Sequence, residues 1–252
     1  MKTVSVIISA YKIDNYFFKM IEEFKSQKLP KNWKLKLLIG VDGCVESKKL
    51  LDSNNIDYYF SEKNVGTYVI CNSLIKEAKK QKFDVLVRFD SDDMPQQEFL
   101  YNGLKYVMKY DYVRAACLRV DENFSPITNK LDFAQGVFFI KNSLLDEVGG
   151  FNNYRVECDT DLMERLNILG NHGVVLDRFY QRIFAFGFMD IFKVRKAIYQ
   201  RRIMSGTLTS SSDTGHGSFY RKNVREKLKI ARNKGIIKVV KPETVSLTYI
   251  KN

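Results

Sequence analysis

Carboxylates are the chemistry this sequence concentrates. Asp90-Ser91-Asp92-Asp93 places three of them in four residues, directly after the apolar run Val85 to Phe89. Alternate residues project to one side wherever a strand continues, so Asp90 and Asp92 are expected to share a face. Burying such charges unpaired is costly. A divalent cation relieves both the repulsion and the desolvation, and hard oxygen ligands suit Mn2+ or Mg2+. The same run also reads as an acidic turn or a helix N-cap, since Asp is common at both. Other residues tilt that balance. Asp42 ends a second apolar run, and Tyr11 and Lys12 follow the first. Asn64-Val65-Gly66 precedes a helical stretch whose N-terminus can receive an anion. An aromatic ring, an acid able to accept an N–H and a cation-binding acid cluster together suit a nucleoside diphosphate. Each alone has a plain reading as loop or turn.

These residues need elements to hold them. Val4 to Ala10 is a β-branched run without helical period and reads as a buried parallel strand. From Tyr16 to Gln27, Phe17, Met20, Ile21 and Phe24 recur at helical spacing, and Pro30 ends the stretch. Leu35 to Val41 is a second strand stopped by Asp42-Gly43, and Asp57 to Phe60 a short third. Thr67 to Lys80 is helical, with Val69, Ile70, Leu74, Ile75 and Ala78 inward, and Val85 to Phe89 is a fourth strand. This alternation predicts an α/β fold with a mostly parallel central sheet flanked by helices. Ligands of open parallel sheets bind beyond the carboxyl ends of the strands, where Asp42 and the Asp90–Asp93 cluster both fall. Further along, Ala115 to Val120, Gly136 to Ile140 and Val174 to Leu176 read as strands, and Gly149-Gly150-Phe151 as a turn. Asp159 to Leu169 reads as a helix with Leu162, Leu166 and Leu169 inward. Phe219 to Asn233 reads as a basic helix with a Tyr220, Val224, Leu228, Ala231 stripe, stopped at Gly235.

The composition bounds the class. The chain has 252 residues, 45% hydrophobic and 28% charged, enough for a sizeable core. Only 4 Pro and 14 Gly exclude collagen-like and low-complexity chains. No apolar run is long enough to span a bilayer, and the N-terminus does not read as a signal peptide. A cytoplasmic protein, or one at the cytosolic membrane face, is therefore expected. Cys44, Cys71, Cys117 and Cys158 form no CxxC pair, and His172 and His216 are too few for a histidine metal cage. Reduced, buried thiols are expected. The net charge is +12, and residues 201–252 carry 12 Lys and Arg against 3 Asp and Glu. Such a segment suits phosphates, DNA or an anionic membrane, or is a solvated Lys-rich face. No Pro/Gly/Ser-rich linker is visible. One continuous domain is expected over residues 1–177, with a nucleotide half (1–95) and an acceptor half (96–177) and a basic extension (178–252) packed on it.

In order and approximate spacing, seven stretches resemble the family-2 glycosyltransferases with the GT-A fold. They are Val4 to Lys12, Val41-Asp42-Gly43, Asn64-Val65-Gly66, Asp90-Ser91-Asp92-Asp93, Val148-Gly149-Gly150-Phe151, Asp159-Thr160-Asp161-Leu162 and Ser205-Gly206-Thr207-Leu208-Thr209. The resemblance covers residues 4 to about 210. It implies a nucleotide-sugar donor, most commonly a UDP-sugar, held over the first four strands and passed to a glycan or other hydroxyl acceptor, as in surface glycan synthesis. Ala10 and Tyr11 would line the base, Asp42 would accept from its N–H, and Asn64 would join the donor contacts. Asp90 and Asp92 would hold the ribose side, with Asp92 and Asp93 closest to Mn2+ or Mg2+. The region Asp159-Thr160-Asp161 would supply the general base of an inverting displacement, and Gly149-Gly150-Phe151 part of the acceptor wall.

The sequence departs from the family pattern at two places. Cys158 stands where a Glu is common, with Glu157 one residue earlier, which leaves Asp159 the better base and Asp161 and Glu157 as alternatives. Where many relatives carry a His, this chain reads Arg201-Arg202-Ile203-Met204. An Arg pair can clamp phosphate, and Arg202 is assigned to the donor. His216 remains a candidate metal or phosphate ligand beside a structural reading. Competing classes are a transferase acting on modified DNA bases and a non-enzymatic nucleic-acid or membrane binder using the basic C-terminus. A nucleotidyltransferase would want a Gly-rich phosphate loop, which Ser9-Ala10-Tyr11-Lys12 lacks.

Overall fold

The computed structural model describes residues 1–110, 112–132, 136–168, 199–204, 211–235 and 240–252. The strand expected at Val174 to Leu176, the stretch Ser205 to Thr209, His172, Leu169 and the boundary at 177/178 lie outside the described residues.

The centre of the molecule is β1 (Lys2–Ala10), whose β-branched residues leave little choice but an extended, doubly covered strand. It pairs in parallel with β2 (Trp33–Asp42) on one side and β4 (Val85–Asp90) on the other. Outward from β2 lie β3 (Tyr58–Ser61) and then β11 (Thr248–Ile250), the latter antiparallel. Outward from β4 lie β9 (Phe138–Lys141) and β6 (Tyr112–Arg114), both in antiparallel pairs. The seven-stranded order is therefore β11-β3-β2-β1-β4-β9-β6. The chain first winds away from β1 in one direction and resumes on its other side, which opens a crevice at the carboxyl ends of β1 and β4.

The period-2 alternation of β1 divides the core between two faces. Val4, Val6, Ile8 and Ala10 pack with Phe17, Met20 and Phe24 of α1 (Asn15–Lys25) and Leu100 and Leu104 of α4 (Phe99–Lys109). On the other face Ile7 packs with Ile70 and Leu74 of α3 (Thr67–Lys80), Leu145 of α5 (Asn142–Val148) and Leu162 of α6 (Cys158–Ile168).

A second sheet, β5-β10-β7-β8, stands over the crevice. Its members are β5 (Met94–Pro95), β7 (Cys117–Val120), β8 (Pro126–Asp132) and β10 (Tyr199–Arg202). β10 is anchored by Tyr199, fully buried with its ring 5.5 Å from that of Phe89. Its pairing sets Gln200 opposite Met94, which carries Arg201 and Arg202 to the acid turn. α7 (Phe219–Asn233), capped by the Ser218 hydroxyl accepting from the Arg221 N–H, packs on α6.

Several expectations change. β4 ends at Asp90, and the Asp93 N–H turns back to the Asp90 carbonyl at 3.4 Å, so Asp90 and Asp92 do not share a strand face. The strand expected over Ala115 to Val120 is the shorter β7, Cys117–Val120; Ala115 and Ala116 instead link it to β6, Tyr112–Arg114, in the other sheet. Helix α2 (Val45–Ser53), α4, α5, β5, β8 and β11 add to the expected elements. No helix among the described residues is long and apolar enough to cross a membrane.

Candidate functional site

A cavity of about 1180 Å³ lies over the carboxyl ends of β1 and β4. One end is lined by Tyr11, Asp42 and Asn64, the middle by Asp90, Asp92 and Asp93, and the far end by Glu157, Asp159 and α7.

At the first end, Asp42 is only 3% exposed. Its carboxylate accepts the backbone N–H groups of Val65 at 2.7 Å and Gly66 at 3.0 Å. Burial raises its pKa, and these two N–H groups oppose the shift. Asp42 thus fills the anion position at the start of α3 with a protein carboxylate and holds the Asn64–Gly66 loop against the cavity. Gly43 permits that approach. Its φ is +64°, and a Cβ there would stand 2.3 Å from the Asn64 nitrogen. Tyr11 is half exposed on the rim, whereas Ala10 is fully buried in the core and Ser9, not Ala10, lines the cavity.

The acid turn is crowded. Asp93 is 3% exposed; its Oδ1 accepts the Arg202 N–H at 3.1 Å, and its Oδ2 has no partner among the described residues. Burial, then Asp92 and Asp90, push its carboxyl well up. The Asp92 carboxyl is pushed up to about 6, by burial first and then by Asp90. Arg202 does not reach into the cavity as a free clamp. Its Nη1 pairs with Asp14 Oδ2 at 2.8 Å, and its guanidinium lies 5.0 Å from the Tyr16 ring and 5.5 Å from the Phe124 ring. Asp14 also caps α1 by accepting the Tyr16 N–H, so Arg202 ties β10 to that helix. Arg201 lines the cavity and makes no hydrogen bond or ion pair with another described residue. Burial disfavours its charge, and nearby Tyr199, Asp93 and Asp90 more than compensate.

Opposite the acid turn sits an unexpected cation. Arg88 is buried inside β4, donating to the Gly136 carbonyl at 2.7 Å and pairing with Asp90 at 2.6 Å. Burial opposes its charge, but Asp90, Cys71, Tyr68 and Asp159 hold it protonated. A Cβ on Gly136 would stand 2.5 Å from Arg88 Nη1, 2.8 Å from Asp90 Oδ2 and 3.7 Å from Asp159 Oδ2. The missing side chain lets one guanidinium and two carboxylates converge. Asp159 faces the cavity at the start of α6, its carboxyl raised chiefly by burial and lowered in part by Arg88.

The alternatives to Asp159 are otherwise engaged. Glu157 accepts from Arg221 at 2.8 Å, Arg225 at 3.0 Å and the Thr160 hydroxyl at 2.8 Å. Burial opposes its charge, yet Arg225 and Thr160 hold its pKa below the usual carboxylate range. Asp161 does not line the cavity. It pairs with buried Arg165 at 2.8 Å, and Arg165 in turn donates to the carbonyls of Val148 and Gly150. That pair fixes the Gly149-Gly150 turn. His216 lines the cavity beside Arg225, 3.5 Å from its guanidinium. Burial, then Arg221, Arg225 and Arg201, lower its pKa.

Among the described residues no group of three or more His, Cys, Asp or Glu is gathered to hold a metal, so His216 is not brought to Asp92 and Asp93 as a third ligand. The structure does bring Asp90, Asp92, Asp93 and Asp159 to one cavity. Sequence reasoning missed Arg88 and Gly136, and it named Arg201 as one of an Arg pair but assigned the donor contact to Arg202. The signal for Arg88 was present, as a lone cation inside the apolar run Val85-Leu86-Val87-Arg88-Phe89. Nothing local marks Gly136, which gains its meaning from the convergence of side chains.

No protein-family model matches the chain, and no curated protein matches it by sequence. Solved structures do match. The mannosyltransferase PcManGT from Pyrobaculum calidifontis, in complex with GDP-Man and Mn2+, is 12% identical over 92% of this chain and 71% of its own, with a TM-score of 0.59. TarS 1–349 from S. aureus in complex with UDP-GlcNAc is 15% identical over 84% of this chain, with a TM-score of 0.59. The UDP complex of TarS is 17% identical over 67%, with a TM-score of 0.52. The chain spans 61% and 55% of those two TarS chains. The likeness is one of fold, and the architecture is the mixed α/β GT-A fold.

Proposed function

We propose that the chain is a glycosyltransferase of the family-2 kind, moving a sugar from a nucleoside diphosphate sugar to a hydroxyl acceptor with inversion. The observation that carries this reading is the convergence of Asp90, Asp92, Asp93 and Asp159 on one cavity at the β1/β4 crevice. The PcManGT and TarS complexes, which hold GDP-Man and UDP-GlcNAc, support it through the shared fold.

The acid turn fits a divalent cation. Asp93 Oδ2 is buried without a described partner, and burial first, then neighbouring carboxylates, raise both Asp92 and Asp93. Two carboxylates are a small set, but Mn2+ and Mg2+ sites of this kind take their remaining ligands from substrate phosphates and water. Asp92 and Asp93 would hold the ion. When bound it neutralises charge growing on the leaving diphosphate.

The protein's own groups do the rest. Tyr11 and the Asn64 loop, braced by Asp42, receive the nucleoside end. Arg201, free of described partners, meets the diphosphate. Asp159 takes the proton from the acceptor hydroxyl as its oxygen attacks the anomeric carbon, on the face opposite the leaving group. Arg88 pairs with Asp90 and partly offsets the burial that raises the Asp159 carboxyl. UDP is the expected nucleotide, and a growing glycan the expected acceptor. The test is nucleotide release from a panel of UDP-, GDP-, TDP- and CMP-sugars, with Mn2+ and with chelator. Release from none of them, by folded protein, rejects the proposal.

A further inference from the structure

We propose that the acceptor is an anionic sugar, whose phosphate or carboxylate docks on a cationic wall formed by Arg155, Arg225, Lys229 and Arg232. This rests on the glycosyltransferase reading and deepens it. All four residues line the cavity that Asp159 also lines. On α7 the residues Arg221, Arg225, Leu228, Lys229 and Arg232 fall at i, i+4, i+7, i+8 and i+11, one stripe of a helix. That stripe lines the cavity and Lys222, Lys227 and Lys234 do not, with Arg225, Lys229 and Arg232 solvent-exposed along it.

The inward cations exceed their partners. Arg221 is buried and used up, holding Glu157 and the Thr214 carbonyl. Arg225 shares Glu157, and Arg232 pairs with Glu164 at 3.0 Å while half exposed. Arg155 and Lys229 have no ion pair among the described residues. The wall is therefore left with positive charge facing a cavity, and the pKa of His216 beside it is lowered by burial first and then by Arg221, Arg225 and Arg201. The Arg side chains offer the planar fork that binds phosphate or carboxylate through two parallel N–H bonds. Glu157, held by Arg225, is two residues from Asp159, so an anion on this wall lies close to the hydroxyl being attacked.

The test is calorimetric titration of glucose, glucuronic acid and glucose 6-phosphate into the full chain saturated with UDP and Mn2+. One anionic sugar is expected to bind at least about tenfold more tightly than glucose, with a preference that weakens as salt rises. The carboxylate and phosphate arms identify the anion. In the double variant Arg155→Gln/Lys229→Gln the preference should fall below about threefold, with the circular dichroism of the folded chain retained. Equal affinity for the three sugars, including no measurable binding of any, overturns the proposal. So does a preference that the double variant leaves intact. Binding of phosphatidylglycerol vesicles that the double variant abolishes, without discrimination among the sugars, would assign the wall to a membrane instead. Failure of UDP to bind in the preceding titration refutes the donor reading and is seen independently of the sugar preference.

Discussion

Exchanging Asp93 for Asn should stabilise the metal-free protein while disabling it, an outcome opposite to that of removing an ordinary structural carboxylate. Asp93 is almost fully buried, with Oδ1 satisfied by the Arg202 N–H and Oδ2 unpartnered among the described residues. Asn keeps the Oδ1 acceptor and the side-chain shape. A buried, unsatisfied polar atom costs about 1–3 kcal/mol and a charged one more, so removing only the charge should return roughly 1–2 kcal/mol. In a chain of this size each kcal/mol moves the melting temperature by about 2–4 °C, giving a rise of about 2–8 °C in chelator. The sign with pH follows from the raised carboxyl. The folded state takes up the proton first, so native stability rises as pH falls through the raised value and the advantage of Asn shrinks. Mn2+ reverses the order. At about 100 times its Kd, an ion bound only by the folded state adds about 2.7 kcal/mol to the native protein and little to the variant. Scanning calorimetry with chelator and with Mn2+ should show the two melting curves exchange places. A variant that melts below the native protein in chelator, and still gains the full Mn2+ shift, would falsify the assignment of Asp93.

Asp159→Asn should cut transfer at least a hundredfold while nucleotide binding by calorimetry is retained, and the product anomer should be inverted; near-normal transfer moves the base elsewhere. Because burial raises the Asp159 carboxyl, transfer should fall as pH drops, starting at a higher pH than for a solvent-exposed carboxylate, and the acid limb of a pH–rate profile measures this. Asp161→Asn should instead destabilise the fold by about 3–5 kcal/mol, since it strands buried Arg165, and thermal melting rather than activity reports it first. Gly43→Ala should weaken nucleotide binding about tenfold or more, because its Cβ drives the Asn64 loop away, and a direct nucleotide titration reads the loss.

The legible parts of this chain were those whose signals are local. The β-branched-rich β1 and the helical spacing of α3 and α7 needed no knowledge of neighbours, and α3 spans Thr67–Lys80 as its apolar period predicts. Where a signal was local but faint it was overlooked. α2 buries only Ser47 and Leu51, and α4 shows Phe99, Leu100, Leu104 and Val107 at helical spacing after a turn-rich stretch. The acid turn was legible as chemistry but not as geometry, since the strand stops at Asp90. Partners distant in sequence were beyond reading. Asp14 for Arg202 and the two arginines of α7 for Glu157 each change what a side chain can do, and each depends on tertiary packing, whereas Arg165 stands one helical turn from Asp161 and was a local signal overlooked. The buried face of α7 illustrates the point, because a residue that looks solvated, Arg221, lies inside, whereas Tyr220 of the expected apolar stripe is exposed.

The pairing of β11 with β3 bears on how this molecule is made. Thr248 lies opposite Phe60, and Tyr249 reaches the Asp57 carboxylate. The contact joins segments far apart in the sequence, Thr248 to Phe60, so its loop-closure entropy delays it relative to the local helices and the β1–β2 pair. Until residues 248–250 arrive, β3 presents an open row of backbone donors and acceptors beside the nucleotide end of the cavity. Such an edge invites pairing with another unfinished chain. Expression in which synthesis is interrupted, or in which residues 248–252 are trimmed, should therefore yield aggregates rather than a smaller soluble protein. The short strand acts as a late seal on a sheet assembled long before it.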